Sequence, residues 1–319
     1  MGADTLTAAS VARRRGLTAG HGGIRVNAAD ARTGRIFVSP TVLSLLVLGV
    51  FPLAFLIGAA FTESSLGKPF KEFAGTANFT AVLADSDIVA SLWRTGLYAI
   101  GVSAASVVLG VITAAAVHQA ARSGSLVRTM LLLPLIVPPV IVGTLWKLIF
   151  NPAGGLLATL LRYVGVEAPA LLSDRRFALG AVMVADVWEW TPLVFLLVFA
   201  ALLAQDRSVI EAARLDGAHG WRLFRSVTWP TIAATVAAAA FIRLVLALKV
   251  FDLVFMMTSG GPGQATTTTS LLIYQAAFRE FDVGRAAAIT VLLAALVAAL
   301  TLPVAAVSAK LRHRDGAAA

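Results

Sequence analysis

QDRSVIEAARLDGAHGWRLFRSVTWP, Gln205 to Pro230, is the only long polar interval in the second half of a chain that is otherwise strongly apolar, and it holds four arginines. Ser208 and Glu211 have the spacing of a capping box, in which the hydroxyl accepts from a helix-start N–H and the carboxylate reaches back. Val209, Ala212 and Ala213 then give a short apolar edge of small side chains. Asp216-Gly217 predicts the stop, because glycine enters the left-handed backbone of a C′ position without a Cβ penalty. A second segment carrying Trp221, Phe224 and Val227 is expected to follow and to end before Pro230. Two short helices bent at a glycine, set between two membrane spans, suit insertion into a groove of a partner protein.

Outward from this stretch the chain reads as an all-α integral membrane protein. Of its 319 residues 58% are hydrophobic and 13% charged, with a mean hydropathy of +0.85. A soluble fold cannot hide that much apolar surface. Six apolar runs, approximately 36–61, 92–117, 130–150, 178–203, 232–257 and 285–308, are each close to the roughly 20 residues that cross a bilayer as a helix. The net charge of +9 sits in the loops between these runs, so it reports topology rather than nucleic-acid binding. The N-terminal tail, the 118–129 loop, the 204–231 loop and the C-terminus hold 15 lysines and arginines, against 8 on the opposite side. Both termini and the 205–230 loop are therefore expected in the cytoplasm. The domain reading is a cytoplasmic tail over 1–35, a first span over 36–62, a five-helix core over 92–308 and a short cytoplasmic tail over 309–319. Arg13-Arg14-Arg15 does not read as an export signal, since the first apolar run is too long for a signal-peptide core.

Cysteine is absent, which excludes disulfides, cysteine-ligated zinc and thiol catalysis. There is no G-x-x-x-x-G-K-[ST]: Gly67-Lys68 is followed by Pro69, and position 62 is Thr. The chain has no phosphate-cradling loop of that kind. H-E-x-x-H and G-x-S-x-G are also missing, and the histidines at 21, 118, 219 and 313 have no metal-ligand spacing. No catalytic residue and no metal site is expected.

The 205–230 stretch resembles the EAA loop of the permease subunits of bacterial ABC importers: Glu211-Ala212-Ala213, then Gly217, then Val227-Thr228-Trp229-Pro230 match its spacing, with Val227 and Trp229 standing where the family pattern has Ile and Leu. Thr258 to Thr266 with Gly260-Gly261-Pro262, Leu131 to Leu157 and Trp188 to Pro192 resemble the carbohydrate branch of that family, and the likeness runs from the first span to the last. The resemblance implies the type I importer permease fold, six transmembrane helices with a cytoplasmic coupling helix between the fourth and fifth. It implies multi-pass insertion in the bacterial plasma membrane. It also implies a second homologous permease, two ATP-binding subunits that hold ATP-Mg, and an extracytoplasmic solute-binding protein. The cargo would be a sugar or oligosaccharide, or else glycerol 3-phosphate or another small polar solute. In that reading Glu211, Ala212 and Ala213 form the docking edge for the ATPase subunit, and Asp216-Gly217 sets the bend. An ion-driven secondary transporter and a membrane enzyme are the competing classes. Six spans without a visible repeat argue against the first, and the missing catalytic constellation against the second.

Charges inside the apolar runs are costly, roughly 2.5–3.5 kcal/mol each on insertion scales. Asp186 and Glu189 fall in the fourth run, Arg243, Lys249 and Asp252 in the fifth, and Lys147 near the end of the third. Two readings stay open. The charges neutralise one another as salt bridges of the bundle, or Glu189, Arg243, Lys249 and Asp252 line a solute path with Trp188, Trp190 and Phe251. Sugars suit the second mixture, since hydroxyls take charged partners and pyranose faces stack on rings. Lys249 and Asp252, three apart, are expected on one helix face.

Overall fold

A computed structural model describes residues 28–120 and 125–317. The first 27 residues of the tail expected over 1–35, with Arg13-Arg14-Arg15 and His21, lie outside the described residues. The described residues form two units, divided between Phe55 and Leu56.

The first unit holds helix α1 (Ala28–Leu45), a π turn at Leu46–Val50 and the start of α2 (Phe51–Ala60). Helix therefore begins inside the expected tail, nine residues before the apolar stretch Phe37–Ala60. The π turn ends two residues before Pro52 and holds Leu48, the residue four before it. A proline ring collides with the carbonyl four residues back, and the wider π turn relieves that clash without ending the helix.

In the second unit α2 passes into a hairpin of β1 (Thr62–Ser65) and β2 (Lys68–Phe73), antiparallel, with Thr62 opposite Phe73. The all-α expectation thus gains one small two-stranded sheet. Asn78 donates to the carbonyls of Ala60 and Thr62, both at 3.0 Å, fastening the hairpin to α3 (Ala77–Ala84).

Four long apolar helices build the rest: α4 (Ser86–Gln119), α8 (Ala178–Leu203), α11 (Trp229–Leu248) and α14 (Val283–Ala317). With the first apolar helix they make five candidate spans among the described residues. The expected third span is not one helix. Helices α5 (Ser125–Ile136) and α6 (Pro139–Ile149) meet at a 100° bend. Pro138 and Pro139 dictate it, since each ring disfavours helical backbone in the residue before it. Counted as one bent span, the pair makes the sixth. The expected fifth span also breaks: α11 ends at Leu248, and α12 (Asp252–Met257) starts afresh. Short helices α7 (Leu156–Tyr163) and α13 (Thr269–Phe278) lie in the connections, and α14 continues helically through most of the expected C-terminal tail.

Lipid is as apolar as leucine, so these helices associate by close packing and internal hydrogen bonds rather than by escape from water. Glycines mark where they touch. A Cβ at Gly110 of α4 would sit 2.6 Å from Val194 Cβ of α8, and one at Gly143 of α6 would sit 2.8 Å from Met256 Cβ of α12. One buried cluster joins Tyr98, Val102, Val182, Leu248 and Val254; a second, along α8 and α11, joins Phe195, Val198, Ile232 and Val236. Beside them, the Gly260-Gly261-Pro262 turn is locked to the buried threonine run. Thr258 and Thr266 hydroxyls meet at 2.7 Å, and Thr267 donates to the Gly260 carbonyl at 3.0 Å.

Candidate functional site

The polar stretch forms a short helix, α9 (Arg207–Leu215), hung between α8 and α11. Its cap is Asp206 rather than Ser208: Asp206 Oδ1 accepts from the Ser208 N–H at 2.8 Å. The carboxylate thus occupies the N-cap, and Ser208 falls inside the first turn. That N–H holds the Asp206 carboxyl below the usual carboxylate range. The cap is therefore in place above that range and is lost as pH falls through the lowered value.

The far end closes as the sequence implies. Gly217 has φ +81°, Gly217 N–H donates to the Arg214 carbonyl at 3.0 Å, and Ala218 N–H donates to the Ala213 carbonyl at 2.9 Å. This is a Schellman closure with Gly217 at C′ and the buried Ala218 after it. Between these ends nothing on α9 is buried. Glu211 and Ala212 are exposed, Ala213 is half-buried, and Leu215 is 90% exposed. An exposed amphipathic helix held at both ends presents the geometry of helix-in-groove docking.

The second segment does not end before Pro230. Helix α10 (Gly220–Leu223) runs through a π turn at Phe224–Thr228 straight into α11. The carbonyl that Pro230 would strike, that of Ser226, lies in the π turn, as at Pro52. The turn also aligns three rings: Trp221 stacks on Phe224 at 5.4 Å, and Phe224 lies 6.1 Å from Trp229.

The charges inside the spans divide in two. Arg243 of α11 is fully buried and pairs with Asp186 of α8. Asp186 also accepts from the Tyr98 hydroxyl of α4 at 2.8 Å, and Arg243 Nε donates to Ser106 Oγ of α4 at 3.3 Å. The guanidinium lies 5.9 Å from the Trp190 ring centre. This network ties three helices together. Tyr98 and Ser106 did not enter the sequence reading; their only signal is polarity within an apolar run.

The remaining groups behave otherwise. Glu189 is 2% exposed, has no hydrogen-bond partner for Oε2 among the described residues, and lies within electrostatic range of Asp252. Lys249 is exposed at the end of α11. It does not share a helix face with Asp252, because the backbone breaks between them and Asp252 opens α12. Phe251 packs at 5.3 Å against both Phe255 and Tyr274. Trp188 is 40% exposed, stands edge-on to Trp146 at 5.9 Å, and borders a cavity of about 680 Å³ with Met183 and Thr191.

Residues 106–313 match the family described as the binding-protein-dependent transport system inner membrane component. A probable ABC transporter permease, y4oQ of Sinorhizobium fredii, is 35% identical over 82% of this chain and 84% of its own length. The trehalose/maltose transport system permease MalF of Thermococcus litoralis is 30% identical, covering 86% of this chain and 92% of that one. The sn-glycerol-3-phosphate permease UgpA of Agrobacterium fabrum is 32% identical, covering 83% and 91%. Among solved structures, a bacterial ABC transporter that imports the acidic polysaccharide alginate aligns with a TM-score of 0.76 at 20% identity, over 88% of this chain and 96% of that one. That likeness shows the fold. Family match and relatives agree, and the chain belongs to the inner membrane component family of binding-protein-dependent transport systems, as a multi-pass permease subunit.

Proposed function

We propose that the chain carries a sugar or oligosaccharide inward across the bacterial plasma membrane as one of two permeases of an ATP-driven importer. Its partners are a second, homologous permease, two ATP-binding subunits that hold ATP-Mg, and an extracytoplasmic solute-binding protein. In this reading both termini and α9 face the cytoplasm, and the lysine and arginine excess of the loops supports it. The observation that carries the reading is α9, an exposed amphipathic helix with fixed ends on a long polar loop between spans. A helix held this way passes motion of a docked ATPase to α8 and α11 as a rigid body. Glu211, Ala212 and Ala213 form its docking edge, and Asp216 and Gly217 hold its bend.

The solute path takes Trp188 at the cavity and Glu189, Lys249, Phe251 and Asp252 near the break between α11 and α12. Arg243 and Trp190 serve it indirectly, because the guanidinium is sealed inside the bundle. Glycerol 3-phosphate is the second reading, favoured by the UgpA relative and by the exposed Lys249.

Uptake by proteoliposomes holding the whole complex tests this. With ATP inside and solute-binding protein outside, labelled disaccharide is expected to accumulate, insensitive to an uncoupler. Asp252→Ala or Lys249→Ala is expected to lower uptake with the complex still assembled. Preferential accumulation of glycerol 3-phosphate favours the second reading. Uptake that needs no ATP and collapses with the uncoupler overturns both.

A further inference from the structure

A second groove lies apart from the coupling edge and the cavity at Trp188. It is about 710 Å³ and runs between α4 and the segment from Gly220 to Trp229. Its floor is one face of α4, with Val108, Val111, Ile112 and Ala115, and it ends at Gln119. From Val107 to Gln119 a helix advances about 18 Å. That compares with one leaflet of hydrocarbon, half of a core about 30 Å thick. Its wall is the ring trio aligned by the π turn: in a π turn residues five apart share a face, so Trp229 comes under Phe224 and Trp221. Trp221 is 72% exposed and Ile112 58% exposed, so the groove is open along its length. Arg222 follows Trp221 at the polar end, Arg225 lies one turn on, and both are exposed.

We propose that this groove is a binding site for an anionic phospholipid of the cytoplasmic leaflet, with one acyl chain along α4 and the phosphate against Arg222 and Arg225. The orientation rests on the reading given under Proposed function. The charge pattern selects this occupant. Tryptophan is enriched at the bilayer interface, and the cytoplasmic leaflet holds the anionic headgroups that attract clustered arginines.

Native mass spectrometry of the whole importer, released from nanodiscs of phosphatidylglycerol and phosphatidylcholine in equal amounts, tests the site. Retention of phosphatidylglycerol on this chain is expected. Arg222→Gln with Arg225→Gln is expected to abolish it, as is Ile112→Trp, which fills the groove, with subunit composition unchanged. Equal retention of phosphatidylcholine, or retention unaffected by these variants, overturns the proposal. The chain has no cysteine, so Trp221→Cys gives a single reporter. Its cross-linking to the second permease would make the groove a protein interface and also overturn the proposal. A complex that keeps its ATP-binding subunits but holds no such lipid sinks this inference alone. A chain that recovers no ATP-binding subunit sinks the proposed function whatever lipid it holds.

Discussion

At the scale of single residues, two positions carry opposite demands. Gly217 must hold φ +81° with open space around it, so a side chain there meets backbone strain alone. Gly217→Val is expected to cost about 1–2 kcal/mol locally and to loosen the end of α9. The importer should then hydrolyse ATP with little uptake. Assaying hydrolysis and uptake on the same vesicles checks it, and normal coupling would count against the docking role. Arg243 is constrained by charge instead. Arg243→Met leaves Asp186 buried beside Tyr98 alone, a loss of about 3–5 kcal/mol for a broken buried pair. Thermal unfolding in detergent should fall markedly, and Asp186→Leu added to it should restore much of the loss. Gly217 was legible in the sequence because its requirement is local. The cap was misplaced by two positions because Asp206 and Ser208 can both accept from a helix-start N–H. Pairing among the span charges was one of two readings of the sequence; that Arg243 takes Asp186 was not legible, since it depends on how three helices are rotated against one another.

Among whole elements, the long apolar helices announced themselves by length and composition, and α8 spans the residues its apolar run marks. The breaks were less visible. Pro138-Pro139 stands plainly in the sequence, yet hydropathy counts straight across it. The break after Leu248 has no proline or glycine to mark it. It is held by partners distant in sequence: the Val250 carbonyl accepts from Thr268 Oγ1 at 3.3 Å, and Phe251 packs on Tyr274. Close helix contact supplies the prediction at this scale. At Gly110 an added Cβ meets Val194 at 2.6 Å and the Phe195 backbone nitrogen at 3.0 Å. Gly110→Val should therefore push α4 from α8, and the variant is expected to purify in low yield with an early unfolding transition. The same change at Gly180, which has open space around it, should be tolerated, and equal behaviour of the two variants would refute the contact.

For the whole molecule the prediction concerns company. Tagged chain drawn gently from its native membrane is expected to bring a P-loop ATPase and a second six-span permease, identified by mass spectrometry of the eluate. A solitary chain would remove the energy source from the proposed importer. The family was legible because the EAA-like spacing lies on one continuous loop; the solute was not, because the residues proposed for its path are scattered over α8, the end of α11 and α12. The buried network has a further consequence, for biogenesis. Its members leave the ribosome in the order Tyr98, Asp186, Arg243, so the guanidinium enters the bilayer with its charge partner already there, and the carboxylate does not. The hydroxyl receives the carboxylate, and the carboxylate then receives the guanidinium. A nascent chain halted before Arg243 holds an uncompensated acid in its fourth span, and synthesis of the next span cancels it.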